Sequence, residues 1–169
     1  MWNDTDNPLA YFISFRSYGT WLHGDNRGSI DRFHNHYGDP YLPPNKAWQR
    51  HYRLQLKKNP YILDATARGS VEKAIHETCK IRKWVLRAFN VRRNHVHAVV
   101  TAPRKPELVL NAFKANATRQ LRQDKQWRHQ FSPWAHKGSK IRLWTELSVA
   151  NAIDYVLNGQ GDDLPTVDS

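Results

Sequence analysis

The sequence predicts an α+β domain: one mostly antiparallel sheet with helices packed on a face. Three observations carry this. Segments with strand and helix character alternate in the order β, long loop, α, β, β, α, β, α. Two of the strands are separated only by a short "RRN" turn, which requires a hairpin. The helical segments each show an apolar stripe at helical spacing. At 169 residues the chain has room for one domain with a real core and is short for two. Residues 1–169 are therefore expected to form a single domain.

"LAYFISFRSYG" (9–19) is rich in aromatic and β-branched residues and stops at Gly19, so it reads as a strand. Residues 20–60 change character. "TWLHGDNRGSIDRFHNHYGDPYLPPN" is full of Gly, Asp, Asn and Pro and reads as a long, irregular insertion. Insertions of this length in a small domain are more often functional or mobile than decorative. "GSVEKAIHETCKIRKW" (69–84) returns to helical spacing, with Ser70 as N-cap and Val71, Ile75 and Thr78 with Cys79 on one stripe. "WVLRAFNV" and "HVHAVVTA" form the hairpin around residues 92–94, and Pro103 and Pro106 end its second strand. "ELVLNAFKANATRQLRQ" (107–123) is an amphipathic helix with Leu110, Phe113, Ala117 and Leu121 on its apolar stripe. After a basic stretch, "KIRLW" is a short strand and "TELSVANAIDYVLNG" the last helix, capped by Thr145 and stopped by Gly159. The acidic tail 161–169 is expected to be frayed.

Charge narrows the partners. With 26 Lys and Arg against 15 Asp and Glu, the formal charge is +11, which points to a polyanion, nucleic acid ahead of an anionic membrane. No apolar run approaches the ~20 residues needed to span a bilayer, and "MWNDTDNPLA" lacks the basic and apolar regions of a signal peptide. The single cysteine, Cys79, rules out an internal disulfide and fits a reducing cytosol.

The residues that call for chemistry are His95 and His97, in "NHVHAVV" (94–100). Side chains alternate along a strand, so His95, His97 and Val99 share one face while Val96, Ala98 and Val100 share the other. The second set can pack on the helices. Same-side neighbours are about 6.5–7 Å apart at Cα, close enough for two imidazoles to converge on one cation. The bland alternative is a pair of histidines on a solvated sheet face. A closed structural zinc site needs two further ligands, which a single cysteine makes a poor fit. Tyr155 lies in the last helix with Ala152, Ile153, Val156 and Leu157 around it. Alone, such a tyrosine is usually core packing.

The order of these motifs, with "SFRSYGTWL", "RRNHVHAVVTAP" and "AIDYVLNGQ", resembles the single-tyrosine transposases of the HUH endonuclease superfamily. The closest likeness is to the REP-associated tyrosine transposases and related insertion-sequence transposases, over about residues 9–161. The resemblance implies a ferredoxin-like or RRM-like core whose sheet face carries His95 and His97 as ligands of a divalent metal, Mg²⁺ or Mn²⁺. It implies Tyr155 as the nucleophile, leaving a 5′-phosphotyrosine link and a free 3′-OH. It further implies single-stranded or hairpin DNA as partner, dimers in some relatives, and a cytoplasmic place at the bacterial nucleoid. In such relatives a glutamine or asparagine one turn after the tyrosine commonly completes the metal site. Here that position is Gly159, so Gln160 is favoured over Asn158, and plain C-cap polar groups are the alternative.

The chemistry is coherent in its own right. A phenol with pKa ≈ 10 is a weak nucleophile at neutral pH, and a cation on the phosphate polarises it for in-line attack. Arg92 and Arg93 before the histidine strand, and Lys114, Arg119 and Arg122 on the next helix, are candidate DNA contacts beside the metal face. Each alone is equally a solvated surface residue. Trp21, Tyr41, Trp48 and Tyr52 in the insertion are candidates to stack on unpaired bases or to cover the core edge. His23, Asp25, Asp31, His34 and His36 match no known metal-site spacing and are assigned none. Two other functions compete with the transposase: a catalytically silent nucleic-acid-binding module of the same fold, and a replication initiator, which the lack of a helicase segment disfavours.

Overall fold

Strand β1 (Ala10–Arg16) opens the described part of the computed structural model, which covers residues 7–19 and 60–159. After it come α1 (Ala65–Arg82), β2 (Val85–Val91), β3 (His95–Thr101), α2 (Pro106–Gln123), β4 (Ser139–Leu143) and α3 (Glu146–Asn158). The proposed insertion, apart from Pro60, lies outside the described residues, as do its aromatics, Gln160 and the acidic tail.

The sheet runs β2-β3-β1-β4 with each neighbouring pair antiparallel, the ferredoxin-like arrangement of a βαββαβ chain. The hairpin closes where expected, with the Arg92 amide donating to the His95 carbonyl at 2.8 Å. Because β1 alternates, Tyr11, Ile13 and Phe15 join Val96, Ala98 and Val100 on one face. Val71 and Ile75 of α1 and Leu110, Phe113, Ala117 and Leu121 of α2 close over them. The stripes predicted for both helices are buried.

Two expectations need correction. The helices do not all lie on one face: α3 packs across the opposite one. There Ala10, Phe12, Ala88, Val99, Ile141 and Leu143 form a second apolar surface, met by Val149, Ala152 and Val156 of α3. These three side chains recur at i, i+3 and i+7, a single stripe that a one-sided core would leave exposed. The reason is that the middle of the second sheet face is apolar. Ser70 is also not an N-cap. Asp64 caps α1 by accepting from the Ala67 amide at 2.8 Å, and the helix begins before Ser70. Ser70 is buried within it and donates to Asp124 at 2.6 Å.

α3 starts and stops as its sequence predicts. Thr145 accepts from the Ser148 amide, and the Ser148 hydroxyl answers toward the Thr145 backbone, a reciprocal cap. At its far end the Gly159 amide donates to the Tyr155 carbonyl at 2.9 Å.

Candidate active site

The second sheet face brings Arg16 opposite His95, and Ser14 and Asn90 opposite His97 on either side. The two imidazoles lie with ring centroids 4.7 Å apart, and each residue is only 4% exposed. This is not the solvated pair that a lone H-x-H pattern allows. Phe12, one register step along β1, stacks on the His97 ring at 5.5 Å.

Both histidines are held through the same ring atom. The Asn94 Oδ1 lies 2.6 Å from His95 Nδ1, and the Ser14 Oγ lies 2.6 Å from His97 Nδ1. Burial pushes the His97 pKa well below its usual value, and the charges of His95, Arg92 and Arg16 push the same way. His97 is therefore uncharged at neutral pH, the form in which imidazole can offer a lone pair.

Tyr155 reaches this pair from α3. Its ring is edge-on to His97 with centroids 5.7 Å apart, and edge-on to Phe12 at 5.9 Å. The helix end is tied down by Asn90, whose Nδ2 donates to the Val156 carbonyl at 3.2 Å. Such a carbonyl, in a final helical turn, otherwise depends on capping groups. Gly159 makes room for the tyrosine. A Cβ on it would lie 3.0 Å from both Cα and Cδ2 of Tyr155, so hydrogen is the side chain that fits without displacement.

Among the described residues no three His, Cys, Asp or Glu side chains gather to hold a metal. Two close imidazoles, one of them held neutral, are a donor pair of the kind that fits a divalent cation. Of the two expected third ligands, Asn158 is exposed and donates to its own helix neighbour Asp154 at 3.0 Å. Gln160 lies outside the described residues.

The basic residues divide. Arg92 is 2% exposed and close enough for its charge to act on His97, while Arg93 on the same turn is exposed. Lys114, Arg119 and Arg122 stand on α2, which packs on the side of the sheet away from the histidines. Lys114 donates to the Ala135 and Lys137 carbonyls, and burial, with Lys140 and Arg16, pushes its pKa down to about 8. Arg122 donates to the His129 and Gln130 carbonyls, and with Arg119 lines an open depression. Both Lys114 and Arg122 thus fasten the 124–138 segment to α2.

Four neighbours of the site were not singled out from sequence: Phe12, Ser14, Arg16 and Asn90. Alternation along "FISFR" puts the first three on one face, but only the pairing register shows that this is the histidine face. Asn94 was legible only as part of a turn.

The sequence of residues 46–145 matches the family model described as "Transposase IS200 like". That stretch contains His95 and His97 and ends before Tyr155. No curated protein matches the chain. Among solved structures, the chain is similar to the REP-associated tyrosine transposase bound to a REP hairpin, with a TM-score of 0.48 and 11% identity. The alignment covers 89% of this chain and 65% of that one, so the chain spans about two thirds of that neighbour's length. It is also similar to a protein of Deinococcus radiodurans R1 assigned as a transposase, with a TM-score of 0.45, 12% identity, and coverage of 94% and 95%. No helix among the described residues is long and apolar enough to cross a membrane. With the family model matched over more than half of its length, the chain belongs to the IS200-like transposases.

Proposed function

We propose that this transposase is a metal-dependent, single-tyrosine enzyme of the HUH type that cuts and rejoins single-stranded DNA beside a hairpin. His95 and His97 hold a Mg²⁺ or Mn²⁺ ion, and Tyr155 is the nucleophile. The observation that supports this reading is the contact of the Tyr155 ring with the His97 ring at 5.7 Å, made between elements far apart in sequence. Bound there, a divalent cation supplies Lewis-acid polarisation of the scissile phosphate.

The chain's own residues do the rest. His97, held uncharged, leaves the cation its full charge, as does any neutral ligand. Arg92 and Arg16 add positive charge next to the imidazoles, favourable to a phosphate and unfavourable to protonation of His97. The Tyr155 oxygen attacks phosphorus, the bond to the 3′ oxygen breaks, the phenol proton passes to solvent, and the 3′ oxygen takes one up. The resulting 5′-phosphotyrosine keeps a phosphodiester linkage, so a 3′-OH can reverse the step without a nucleotide cofactor. Arg93 is the exposed candidate to meet the DNA backbone beside the site. Arg119 and Arg122, across the sheet, would bind a more distant part of the same DNA.

The experiment is a denaturing gel after incubation of the protein with Mn²⁺ and hairpin-bearing single-stranded DNA. A covalent adduct is expected for the wild type and not for Tyr155→Phe. Hairpin binding without any wild-type adduct would support the silent binding module instead.

A further inference from the structure

We infer that Asn94 and Ser14 are positioning residues that fix both active-site imidazoles in one tautomer, with the proton on Nδ1 and the lone pair on Nε2. The His95 tautomer follows from its own contact; the His97 tautomer and the metal part rest on the function proposed above.

The Nδ1 atoms of His95 and His97 each make one 2.6 Å contact, to Asn94 Oδ1 and Ser14 Oγ. An amide oxygen can only accept, so facing Asn94 Oδ1 the His95 Nδ1 must be the donor. A neutral imidazole carries one N–H, so that donation moves the His95 lone pair to Nε2. Ser14 has a hydroxyl, which can accept from His97 Nδ1 in the same way. A cation bound through Nε2 of both rings requires the Nδ1–H form of each. The two orienting residues come from different places in the chain. Asn94 is adjacent to its histidine in the hairpin turn, while Ser14 reaches His97 across the β1–β3 ladder, where the two are register partners. Neither is itself a ligand. Partners of this kind typically change metal affinity by about 10–100-fold when removed.

The role has a signature that general packing lacks. Ring ¹⁵N shifts of the metal-free wild type should report Nδ1–H and unprotonated Nε2 for both residues. Ser14→Ala should release the tautomer of His97 alone, and Asn94→Ala that of His95 alone. Ser14→Thr and Asn94→Asp, which keep an acceptor oxygen, should retain it. Mn²⁺ titration followed by electron paramagnetic resonance should show about 10–100-fold weaker binding for each alanine variant and recovery in the conservative ones. An Nε2–H form of either imidazole in the wild type overturns the inference without any variant having to fold. Alanine variants that bind Mn²⁺ as tightly as the wild type overturn it as well. A wild type with the expected tautomers but no Mn²⁺ binding supports the orienting role and overturns the metal site itself.

Discussion

Replacing Gly159 by alanine tests whether the seat of Tyr155 is as tight as the geometry says. The new Cβ would stand 3.0 Å from Tyr155 Cα and 3.0 Å from Cδ2. Ordinary contact for such a carbon begins near 3.4 Å, so a few tenths of an ångström must be recovered. The Cα belongs to the helix and cannot yield, so the ring or the last helical turn must move. Overpacking of this kind costs about 1–3 kcal/mol. Against it stands the gain of about 0.4–1 kcal/mol from a less flexible unfolded chain. Strain wins, but because Gly159 is exposed at a helix end it is relieved locally, so the loss of global stability should stay near 1 kcal/mol. The cost should fall on the tyrosine. A displacement of about 1 Å in a reacting group is worth about 100-fold in rate, so a shift of half that should slow adduct formation by about tenfold. Single-turnover adduct kinetics on hairpin-bearing single-stranded DNA measure this, with urea unfolding as control. A Gly159→Ala variant with a wild-type adduct rate would mean that the added methyl leaves the seat of Tyr155 unchanged.

Val156→Ala removes two methyl groups from a side chain with no exposed surface, at about 0.8 kcal/mol each plus a cavity term. Urea unfolding should lose about 2–3 kcal/mol; a loss under 1 kcal/mol would mean that α3 is not anchored on the second sheet face. Burial pushes the Cys79 thiol up to about 11, so an aromatic disulfide reagent at pH 8 should react far more slowly with native protein than with protein in urea. Equal rates would contradict the burial. Hydrogen bonds from Ser70 and then Gln120 hold the Asp124 carboxyl below its usual pKa. Because the folded-state value is the lower one, the stabilisation is present above the unfolded carboxylate pKa of about 3.9 and is lost as pH falls through the folded value. The stability gap between wild type and Asp124→Asn, from urea unfolding, should therefore be constant near neutrality and shrink in acid; a gap that widens in acid would reverse the sign.

Local signals carried most of the fold. Thr145 and Gly159 bound α3 because capping chemistry is written within a few residues of each helix end. The hairpin was legible because a three-residue turn leaves two adjacent strands no other pairing. What depends on partners distant in sequence was not legible. Ser70 has the right side chain for a cap, but Asp124, the C-cap residue of α2, claims its hydroxyl. The placing of α3 depended on the second face being half apolar, which emerges only when Phe12, Val99 and Ile141 are aligned across three strands. The same register hid Ser14, an ordinary serine in a strand until its partner is seen to be His97. The pairing of Tyr155 with the histidines came from motif order and family likeness, not from spacing. Spacing alone could not tell a core tyrosine from a reactive one.

The central claim is that Tyr155 attacks the phosphate polarised beside His95 and His97. Protease digestion of the covalent complex, followed by mass spectrometry of the DNA-linked peptide, tests it most directly. The expected product is a peptide containing Tyr155 whose phenol carries a 5′-phosphorylated nucleotide, formed only with a divalent cation present. A nucleotide on any other residue, or adduct formation that survives removal of both histidines, would contradict it.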